Sequence, residues 1–469
     1  MSRLLTILVV LASTSLLSAS DGPTAKTRNG ALAGSHGHAA DVSVFRGIPY
    51  AAPPTGPLRW APPAPVASWS GVRDATAFGS NCPQNIVTER KPWTHEFMAH
   101  GPVSEDCLYL NVWTPALGAR EKRPVYVYLH GGGFNEGSGS VPVYDGEGLA
   151  RKGLVVVTVN YRLNALGFLA HPELTAAARN RASGNYGLLD QIAALQWVRD
   201  NIAAFGGDPS RVTLGGQSAG GMSVIALLAS PLAKGLFHRA VIESGVLTTA
   251  PTRSLAEAER DGRQLAALKH ADSLLALRML PADQVVARVT LPAPSQGGAA
   301  PVVMFRPIVD GHVLRDAPDA VFARGAQNDI PVLIGFNADE GGASPEADVA
   351  TNQRARDEQR GNVSRWVSAF GKTAHSPTFV YMWSHALPGP DVGKYGAFHT
   401  SEVPYAMNTL YMSERPFTDA DRKIADVMSG YWANFAKTGD PNGAGLPRWL
   451  ASAPDSLHVF ELGDRLAGE

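Results

Sequence analysis

The chain has little cysteine and almost no net charge. Cys82 and Cys107 are the only cysteines among its 469 residues, and 41 Lys and Arg nearly balance 42 Asp and Glu, which gives a formal net charge of -1. A chain of this balance has no strongly basic surface of the kind that binds nucleic acid, and no acidic tail for a cationic partner. We therefore expect no nucleic-acid partner, and any ligand must be recognised by local groups.

Long apolar runs are absent beyond the N-terminus. Residues 1–20 combine Arg3, a mainly apolar stretch over 4–17 and small residues at 18–20, which is the pattern of an export signal. The apolar stretch is shorter than the roughly 18 to 20 residues that span a bilayer, although a membrane anchor remains the alternative. The sequence thus predicts a signal peptide over 1–20, a secreted or periplasmic mature chain, and no stable membrane insertion after signal removal. It indicates no particular oligomeric state.

The two cysteines lie 25 positions apart. An exported chain meets an oxidising compartment, so we predict a structural disulfide between Cys82 and Cys107. The alternative is a catalytic or metal-binding thiol, but neither cysteine belongs to a Cys-x-x-Cys or Cys/His cluster. No other pattern of metal ligands occurs, and we predict neither a metal nor another cofactor.

The order of apolar patterns predicts an α/β fold. Residues 125–129 and 154–159 are short β-branched runs, typical of buried strands of a parallel sheet. Apolar residues recur at helical spacing between 189 and 205, residues 211–214 form another strand-like run, and a further helical segment follows. We expect a mostly parallel central sheet flanked by helices. Since no repeat or linker divides the chain, residues 21–469 are predicted to form a single domain.

A serine lies between the third strand-like run and the next helix. Residues 216–220 read Gly-Gln-Ser-Ala-Gly, which matches the nucleophile-elbow pattern Gly-x-Ser-x-Gly. A sharp strand-to-helix turn needs flanking residues without Cβ, and it raises the serine hydroxyl above the sheet. The pattern predicts Ser218 as a nucleophile of acyl transfer. A glycine-rich turn that happens to contain serine is the alternative.

A glycine-rich segment follows the first predicted strand. Residues 130–133 read His-Gly-Gly-Gly, the type of loop that supplies oxyanion-hole donors. Glycines allow the backbone N–H groups of Gly132 and Gly133 to face a substrate oxygen, with the N–H of Ala219 as a third donor. An ordinary flexible glycine turn is the alternative interpretation.

These motifs, with several others in the same order, resemble the type-B carboxylesterase/lipase family. The further matches are Glu-Asp-Cys-Leu-Tyr-Leu-Asn-Val at 105–112, Asn-Tyr-Arg at 160–162, Gly-Asn-Tyr-Gly-Leu-Leu-Asp at 184–190, Gly-Gly-Asp-Pro at 206–209 and Thr-Gly-Asp-Pro-Asn at 438–442. The resemblance covers nearly the whole mature chain. It implies an α/β-hydrolase fold, pairing of Cys107 with Cys82, and hydrolysis of small to medium soluble carboxylic esters.

The resemblance also selects the acid and the base. The family's Asp-Glu-Gly motif matches at Asp339 and Glu340, which makes Glu340 the acid of the triad. The segment Phe-His-Thr-Ser-Glu-Val-Pro-Tyr resembles the family's catalytic-histidine segment and contains His399. The order Ser218, Glu340, His399 is the one expected for this fold. The base must be neutral to take a proton, so activity is expected to rise between about pH 6 and 7.

Two features depart from the family pattern. Gln217 stands where many relatives carry Glu, so cationic choline esters are not expected as substrates. Only 59 positions separate Glu340 from His399, which predicts a more open pocket. The alternatives are a non-catalytic binding protein of the same fold, which the presence of all three triad residues disfavours, and a carbamate hydrolase or lipase that uses the same triad.

Overall fold

The computed structural model describes residues 22–246, 252–287, 305–341, 349–465 and 467–468. The predicted signal peptide, residues 1–20, lies outside the described residues. The strands are β1 (Thr24–Lys26), β2 (Ala31–Ala33), β3 (Ser35–His36), β4 (Ser43–Pro49), β5 (Val72–Asp74), β6 (Tyr109–Thr114), β7 (Arg123–Leu129), β8 (Val155–Val159), β9 (Gly207–Gln217), β10 (Arg239–Glu243), β11 (Val332–Asn337), β12 (Thr378–Trp383), β13 (Val459–Leu462) and β14 (Ala467–Gly468).

The helices are α1 (Glu147–Ala150), α2 (Asn164–Phe168), α3 (Pro172–Ala177), α4 (Tyr186–Asn201), α5 (Ala219–Ala229), α6 (Leu255–Leu268), α7 (Leu274–Met279), α8 (Ala282–Val286), α9 (Pro318–Ala323), α10 (Val349–Gly371), α11 (Val392–Tyr395), α12 (Val403–Ala406) and α13 (Asp419–Thr438). Short 3₁₀ turns occur at Gly56–Leu58, His95–Phe97, Pro142–Tyr144, Ile202–Phe205, Pro231–Ala233 and Leu410–Met412.

In the described part of the chain, eleven strands form one sheet in the order β14-β13-β12-β11-β10-β9-β7-β8-β6-β4-β3. The seven strands from β8 to β13 in this order are parallel, and the strands beyond them at both edges pair antiparallel. A second, three-stranded sheet has the order β1-β2-β5. The predicted mostly parallel α/β sheet is confirmed.

Both faces of the central sheet are buried. Along β7, Val127 belongs to a core cluster on one face together with Leu227 of α5, whereas Tyr126 and Tyr128 belong to a cluster on the other face together with Trp432 of α13. Successive residues of a strand point to opposite faces, so helices must cover both. The sheet is therefore the middle of three layers.

Element boundaries differ from the sequence prediction by up to four residues. The helix α4 passes into a 3₁₀ turn and ends at Gly206, whose φ of 78° is the left-handed conformation of a helix C-cap. β9 begins at Gly207, four residues earlier than the predicted 211–214. Its first residues include Pro209, which is tolerated because the register with β7 shifts there.

The predicted disulfide is present. Cys82 and Cys107 are bonded and buried, which removes the alternative of a free thiol. The bond closes residues 83–106 into a loop that leads into β6. In the chain-entropy picture, closing a loop of this length in the unfolded chain contributes roughly 3 to 4 kcal/mol.

Within the described ranges, none of the helices combines the length and the apolar character needed to cross a bilayer. The two longest are mixed in polarity. α10 exposes charged residues such as Asp357 and Glu358, and α13 buries Trp432 and Phe435 while it exposes Arg422.

Candidate active site

Ser218 occupies the turn between β9 and α5. Its φ of 57° and ψ of -119° are uncommon for a residue with a side chain and are typical of backbone strain at a functional turn. The Ser218 N–H donates to the carbonyl of Glu243 at the end of β10, at 2.8 Å, and the Ser218 carbonyl accepts from the N–H of Met222, at 2.8 Å. The nucleophile predicted from the sequence therefore stands on the central sheet.

The flanking glycines of the turn are required by close packing. A Cβ on Gly220 would lie 2.0 Å from the carbonyl oxygen of Leu129, at the end of β7. A Cβ on Gly216 would lie 2.6 Å from the carbonyl carbon of Gly220. Both distances are far below van der Waals contact, so the Gly-x-Ser-x-Gly pattern is a packing requirement of this turn.

The glycine segment after β7 lies directly beside Ser218. A Cβ on Gly131 would be 3.1 Å from the Cβ of Ser218. Gly132 and Gly133 have φ values of 103° and 62°, which turn their peptide groups out of the strand direction. Among the described residues, the N–H groups of Gly132, Gly133 and Ala219 have no backbone acceptor. These three donors remain available for an oxyanion.

The neighbouring histidine of this segment is structural. His130 is buried and stacks on Tyr161 with ring centroids 4.3 Å apart, and the Tyr161 hydroxyl donates to the His130 carbonyl at 2.7 Å. The His130 Nδ1 lies 2.8 Å from the carbonyl of Gly131 and must donate to it. Burial lowers the pKa of His130 to about 4, so its ring is neutral at pH 7. It anchors the start of the glycine segment.

The structure brings Glu340 and His399 together. Glu340 Oε2 lies 2.5 Å from His399 Nδ1, and Glu340 Oε1 accepts from the N–H of Asn337 at 2.8 Å. A carboxylate accepts here, so Nδ1 carries the proton and Nε2 keeps its lone pair. This is the tautomer that a general base opposite a serine needs.

Asp339 serves another purpose. Its carboxylate accepts from Arg356 at 2.8 Å and from the N–H of Ala397 at 2.9 Å. It thus ties α10 to the loop that precedes His399. Of the two adjacent acids, the geometry favours Glu340 as the partner of His399, as the resemblance implied.

Ser218 and His399 line the same cavity. The cavity has a volume of about 370 Å³, and the segment Gly131 to Gly133 lines it as well. In the absence of substrate, the hydrogen-bond partner of His399 Nε2 is the side-chain nitrogen of Gln217, at 3.1 Å. The nucleophile, the base and the glycines of two oxyanion donors therefore line one space. Among the described residues, no group of three or more His, Cys, Asp or Glu is placed to hold a metal ion.

Comparison with known proteins agrees with this geometry. Residues 21–373 and 362–467 match the sequence model of the Carboxylesterase family. The chain belongs to this family. Fumonisin B1 esterase of Sphingopyxis macrogoltabida is 39% identical over 470 residues, which cover 90% of this chain and 83% of that protein. Para-nitrobenzyl esterase of Bacillus subtilis (strain 168) is 35% identical over 438 residues, which cover 86% and 87%.

A solved structure of PNB esterase superposes on this chain with a TM-score of 0.80. It is 31% identical, and the match covers 95% of this chain and 96% of that chain. The α/β-hydrolase fold and the resemblance to type-B carboxylesterases are confirmed, and the protein is a serine carboxylic ester hydrolase. The alternative of a non-catalytic binding protein is not favoured.

Two buried acids of this carboxylesterase were not found from the sequence. Glu243 accepts from the indole N–H of Trp432 at 2.7 Å, and burial raises the pKa of Glu243 to about 7. Glu402 accepts from the amide of Asn337 at 2.5 Å, and burial beside other carboxylates raises its pKa well above the usual range. Each had a sequence signal. Glu243 directly follows the apolar run of β10, and Glu402 lies in the segment that resembles the family's catalytic-histidine segment.

The wall of the esterase cavity was also missed. Arg90, Trp93 and Phe97, all inside the disulfide-closed loop, line the cavity that contains Ser218. Their sequence segment shows neither helical nor strand periodicity, so no pattern placed them near the serine. Gln217 was noticed only as a departure from the family, and its contact with His399 was not expected.

Proposed function

We propose that this esterase hydrolyses small to medium, soluble, uncharged carboxylic esters through an acyl-Ser218 intermediate. The observation that supports this most directly is the hydrogen bond that His399 Nδ1–H donates to Glu340, because it keeps on Nε2 the lone pair that a base in the cavity of Ser218 needs. The remaining steps follow from the positions of the backbone donors around that cavity.

Attack begins when His399 Nε2 exchanges its contact with Gln217 for the hydroxyl of Ser218 and takes its proton. The Ser218 oxygen then bonds to the ester carbonyl carbon, and Glu340 stabilises the positive imidazolium that forms. Because Glu340 holds Nδ1, the ring keeps the orientation in which Nε2 points into the cavity.

The carbonyl oxygen becomes negative in this step. The N–H groups of Gly132, Gly133 and Ala219 donate to it, and each such donor contributes on the order of 10²- to 10³-fold in rate. The ester C–O bond then breaks, and His399 returns the proton to the leaving alcohol. Water attacks the acyl group with His399 again as base, which releases the acid and restores Ser218.

The substrate class follows from the size and the lining of the cavity. At about 370 Å³ the cavity holds a small acyl or alcohol group. The charged side chains Arg90 and Glu136 line the cavity and pair with each other. Gln217 carries no charge. None of these three side chains therefore offers an unpaired charge to an ionic substrate. We infer a neutral ester as substrate.

We further propose that residues 1–20 direct export and are removed, and that residues 21–469 form a single domain. The Cys82–Cys107 disulfide supports export, since such bonds persist in oxidising compartments. Fractionation of cells that produce the full chain tests this. A periplasmic or secreted product whose N-terminus is Asp21 is expected, and a cytoplasmic product that begins at Met1 would refute it.

The test of function compares wild type, Ser218→Ala and the control Ser210→Ala, which changes an exposed serine on the same strand. On p-nitrophenyl butyrate, wild type and the control are expected to turn over alike, and Ser218→Ala to lose roughly 10⁴-fold or more in kcat. Circular dichroism confirms folding. Equal activity of Ser218→Ala would disprove the nucleophile. Wild type active only on emulsified triglyceride would make the protein a lipase.

A further inference from the structure

A turn inside the disulfide-closed loop contacts both halves of the proposed site. Arg90 and Trp93 exchange two backbone hydrogen bonds of 2.9 Å, which close the turn. From this turn the indole N–H of Trp93 donates to the backbone carbonyl of His399 at 3.0 Å. The guanidinium of Arg90 forms a two-bond ion pair with the carboxylate of Glu136. The turn thus contacts the segment that contains His399 and the segment that follows the oxyanion glycines.

The contact with Glu136 leads to the oxyanion donors. The N–H of Glu136 donates to the carbonyl of Gly132 at 3.1 Å, and the carbonyl of Glu136 packs so closely that a Cβ on Gly132 would lie 2.0 Å from it. Gln84, at the start of the same loop, adds a pair of 2.8 Å hydrogen bonds with the backbone of Gly137. The position of the Gly132 peptide is thereby tied to the disulfide-closed loop.

The contact of Trp93 leads to the base. Besides the carbonyl of His399, the indole N–H lies 3.4 Å from the hydroxyl of Thr400, and the ring packs edge-on against Phe398. Thr400 has a φ of 84°, an uncommon value for threonine that surrounding contacts must maintain. Trp93 therefore holds the backbone on both sides of His399.

We propose that residues 84–93 act as a strap in which Arg90 and Trp93 are positioning residues for ester hydrolysis. The central sheet fixes Ser218 directly, but Gly132 follows β7 and His399 lies beyond β12, each on a loop. The strap fixes the distance between these loops. A displacement of about 1 Å between reacting groups can cost on the order of 10²-fold in rate. This inference rests on the proposed roles of His399 and Gly132.

The same turn provides a matched control. Lys91, next to Arg90, pairs with Asp391 at 2.9 Å, and both side chains are nearly half exposed, as is Arg90. Lys91 lines a separate cavity of about 270 Å³ and contacts neither Glu136 nor His399. Breaking this ion pair removes a comparable surface interaction from the strap and leaves the contacts of Arg90 with Glu136 and of Trp93 with His399 in place.

The experiment measures kcat and KM on p-nitrophenyl butyrate for Arg90→Gln, Glu136→Gln, Trp93→Phe and the control Lys91→Met. We expect about tenfold lower kcat for the first three, with KM within about twofold of wild type, since the loss is in orientation and not in binding. Arg90→Lys should recover part of the loss. The double variant Arg90→Gln/Glu136→Gln should be no slower than either single variant.

Several results would overturn the strap. One is a wild-type kcat in both Arg90→Gln and Glu136→Gln, and another is a loss of kcat in Lys91→Met as large as in these two variants. A third is a change in KM alone in Arg90→Gln, which would make Arg90 a substrate contact. If Trp93→Phe does not fold, the kcat values of Arg90→Gln and Glu136→Gln decide whether the strap positions the site. The downfield proton resonance of His399 Nδ1–H gives a readout without turnover. An inactive wild type refutes the proposed function, whereas an unchanged resonance in active Arg90→Gln and Trp93→Phe refutes only the strap.

Discussion

The side-chain nitrogen of Gln217 lies 3.1 Å from His399 Nε2, the nitrogen that must accept the proton of Ser218. Because Nδ1–H is donated to Glu340, Nε2 carries the lone pair and the Gln217 amide is the donor. The residue before the nucleophile thus hydrogen-bonds to the neutral form of the base. A carboxylate at the same place would favour the protonated ring.

Gln217→Glu is therefore expected to move the acid limb of the kcat/KM profile to higher pH, because a negative charge beside the imidazole stabilises its protonated form. The measurement is kcat/KM on p-nitrophenyl butyrate from pH 5 to 9. Gln217→Met, which removes the donor without adding charge, is the control and should leave the limb at or slightly above the wild-type position, with a smaller shift than Gln217→Glu. Superimposable profiles for wild type and Gln217→Glu would contradict the assigned contact.

The parts of the site that the sequence predicted are those that local backbone geometry imposes. Gly220 has no room for a Cβ against Leu129, and Gly132 has a positive φ, so glycine is required wherever this chain makes these turns. Glu340 and His399 are different. Carboxylates and histidines occur in many surroundings, and only the resemblance to a family, later confirmed, chose these two.

The parts that were missed depend on contacts between distant segments. Arg90 and Glu136 are 46 positions apart, and Trp93 and His399 are 306 apart, so no local pattern joins them. The early start of β9 has the same origin, since its first residue, Gly207, pairs with the distant Arg123 of β7. The periodicity of apolar residues predicts which face of a helix or strand is buried, but it does not predict which other segment packs against that face.

The acid of the triad is tested by a pair of adjacent substitutions. Glu340→Gln keeps the shape of the side chain, but with the amide oxygen on the Asn337 N–H it turns an NH₂ donor toward His399 Nδ1 and favours the wrong tautomer. The value of kcat should therefore fall on the order of 10³- to 10⁴-fold with little change in KM. Asp339→Asn breaks the pair with Arg356 and should lower the Tm while kcat stays within a few fold. Steady-state kinetics and thermal melting of both variants decide. The reverse outcome would assign the acid to Asp339.

The packing of the serine turn predicts a steric effect. Gly220→Ala places a methyl group 2.0 Å from the Leu129 carbonyl, so the backbone must shift and both stability and kcat should fall, the unfolding free energy by about 2 to 3 kcal/mol or more. Gly393→Ala, at a position with no atom within 4 Å of the new methyl group, is the control and should be close to neutral. Urea unfolding and kinetics of both variants measure this. If Gly220→Ala had the stability and kcat of wild type, as expected for Gly393→Ala, the close contact between Gly220 and Leu129 would be wrong.

Two buried groups make opposite contributions to the pH dependence of stability. The pKa of Glu243 is raised by burial from 4.5 to about 7, so the folded state holds a proton that the unfolded chain has lost, and this stabilisation declines as pH rises from about 4.5 to 7. The pKa of His130 is lowered by burial from 6.5 to about 4, so the unfolded chain binds a proton first, and stability declines as pH falls from about 6.5 to 4. Between about pH 4.5 and 6.5 the two effects offset each other.

Removing either group should change the pH dependence of stability in the opposite sense. Glu243→Gln removes the effect of Glu243, so between about pH 4.5 and 6.5 the slope of the unfolding free energy against pH should be more positive than in wild type, by at most about 1.4 kcal/mol per pH unit. His130→Asn removes the effect of His130, and the slope in the same window should be more negative than in wild type. Each variant loses packing and is less stable overall, so the sign of the change in slope relative to wild type is the test, read from urea unfolding at half-unit steps of pH. Changes of the same sign in both variants would mean that at least one of the two groups does not keep its proton state in the folded protein.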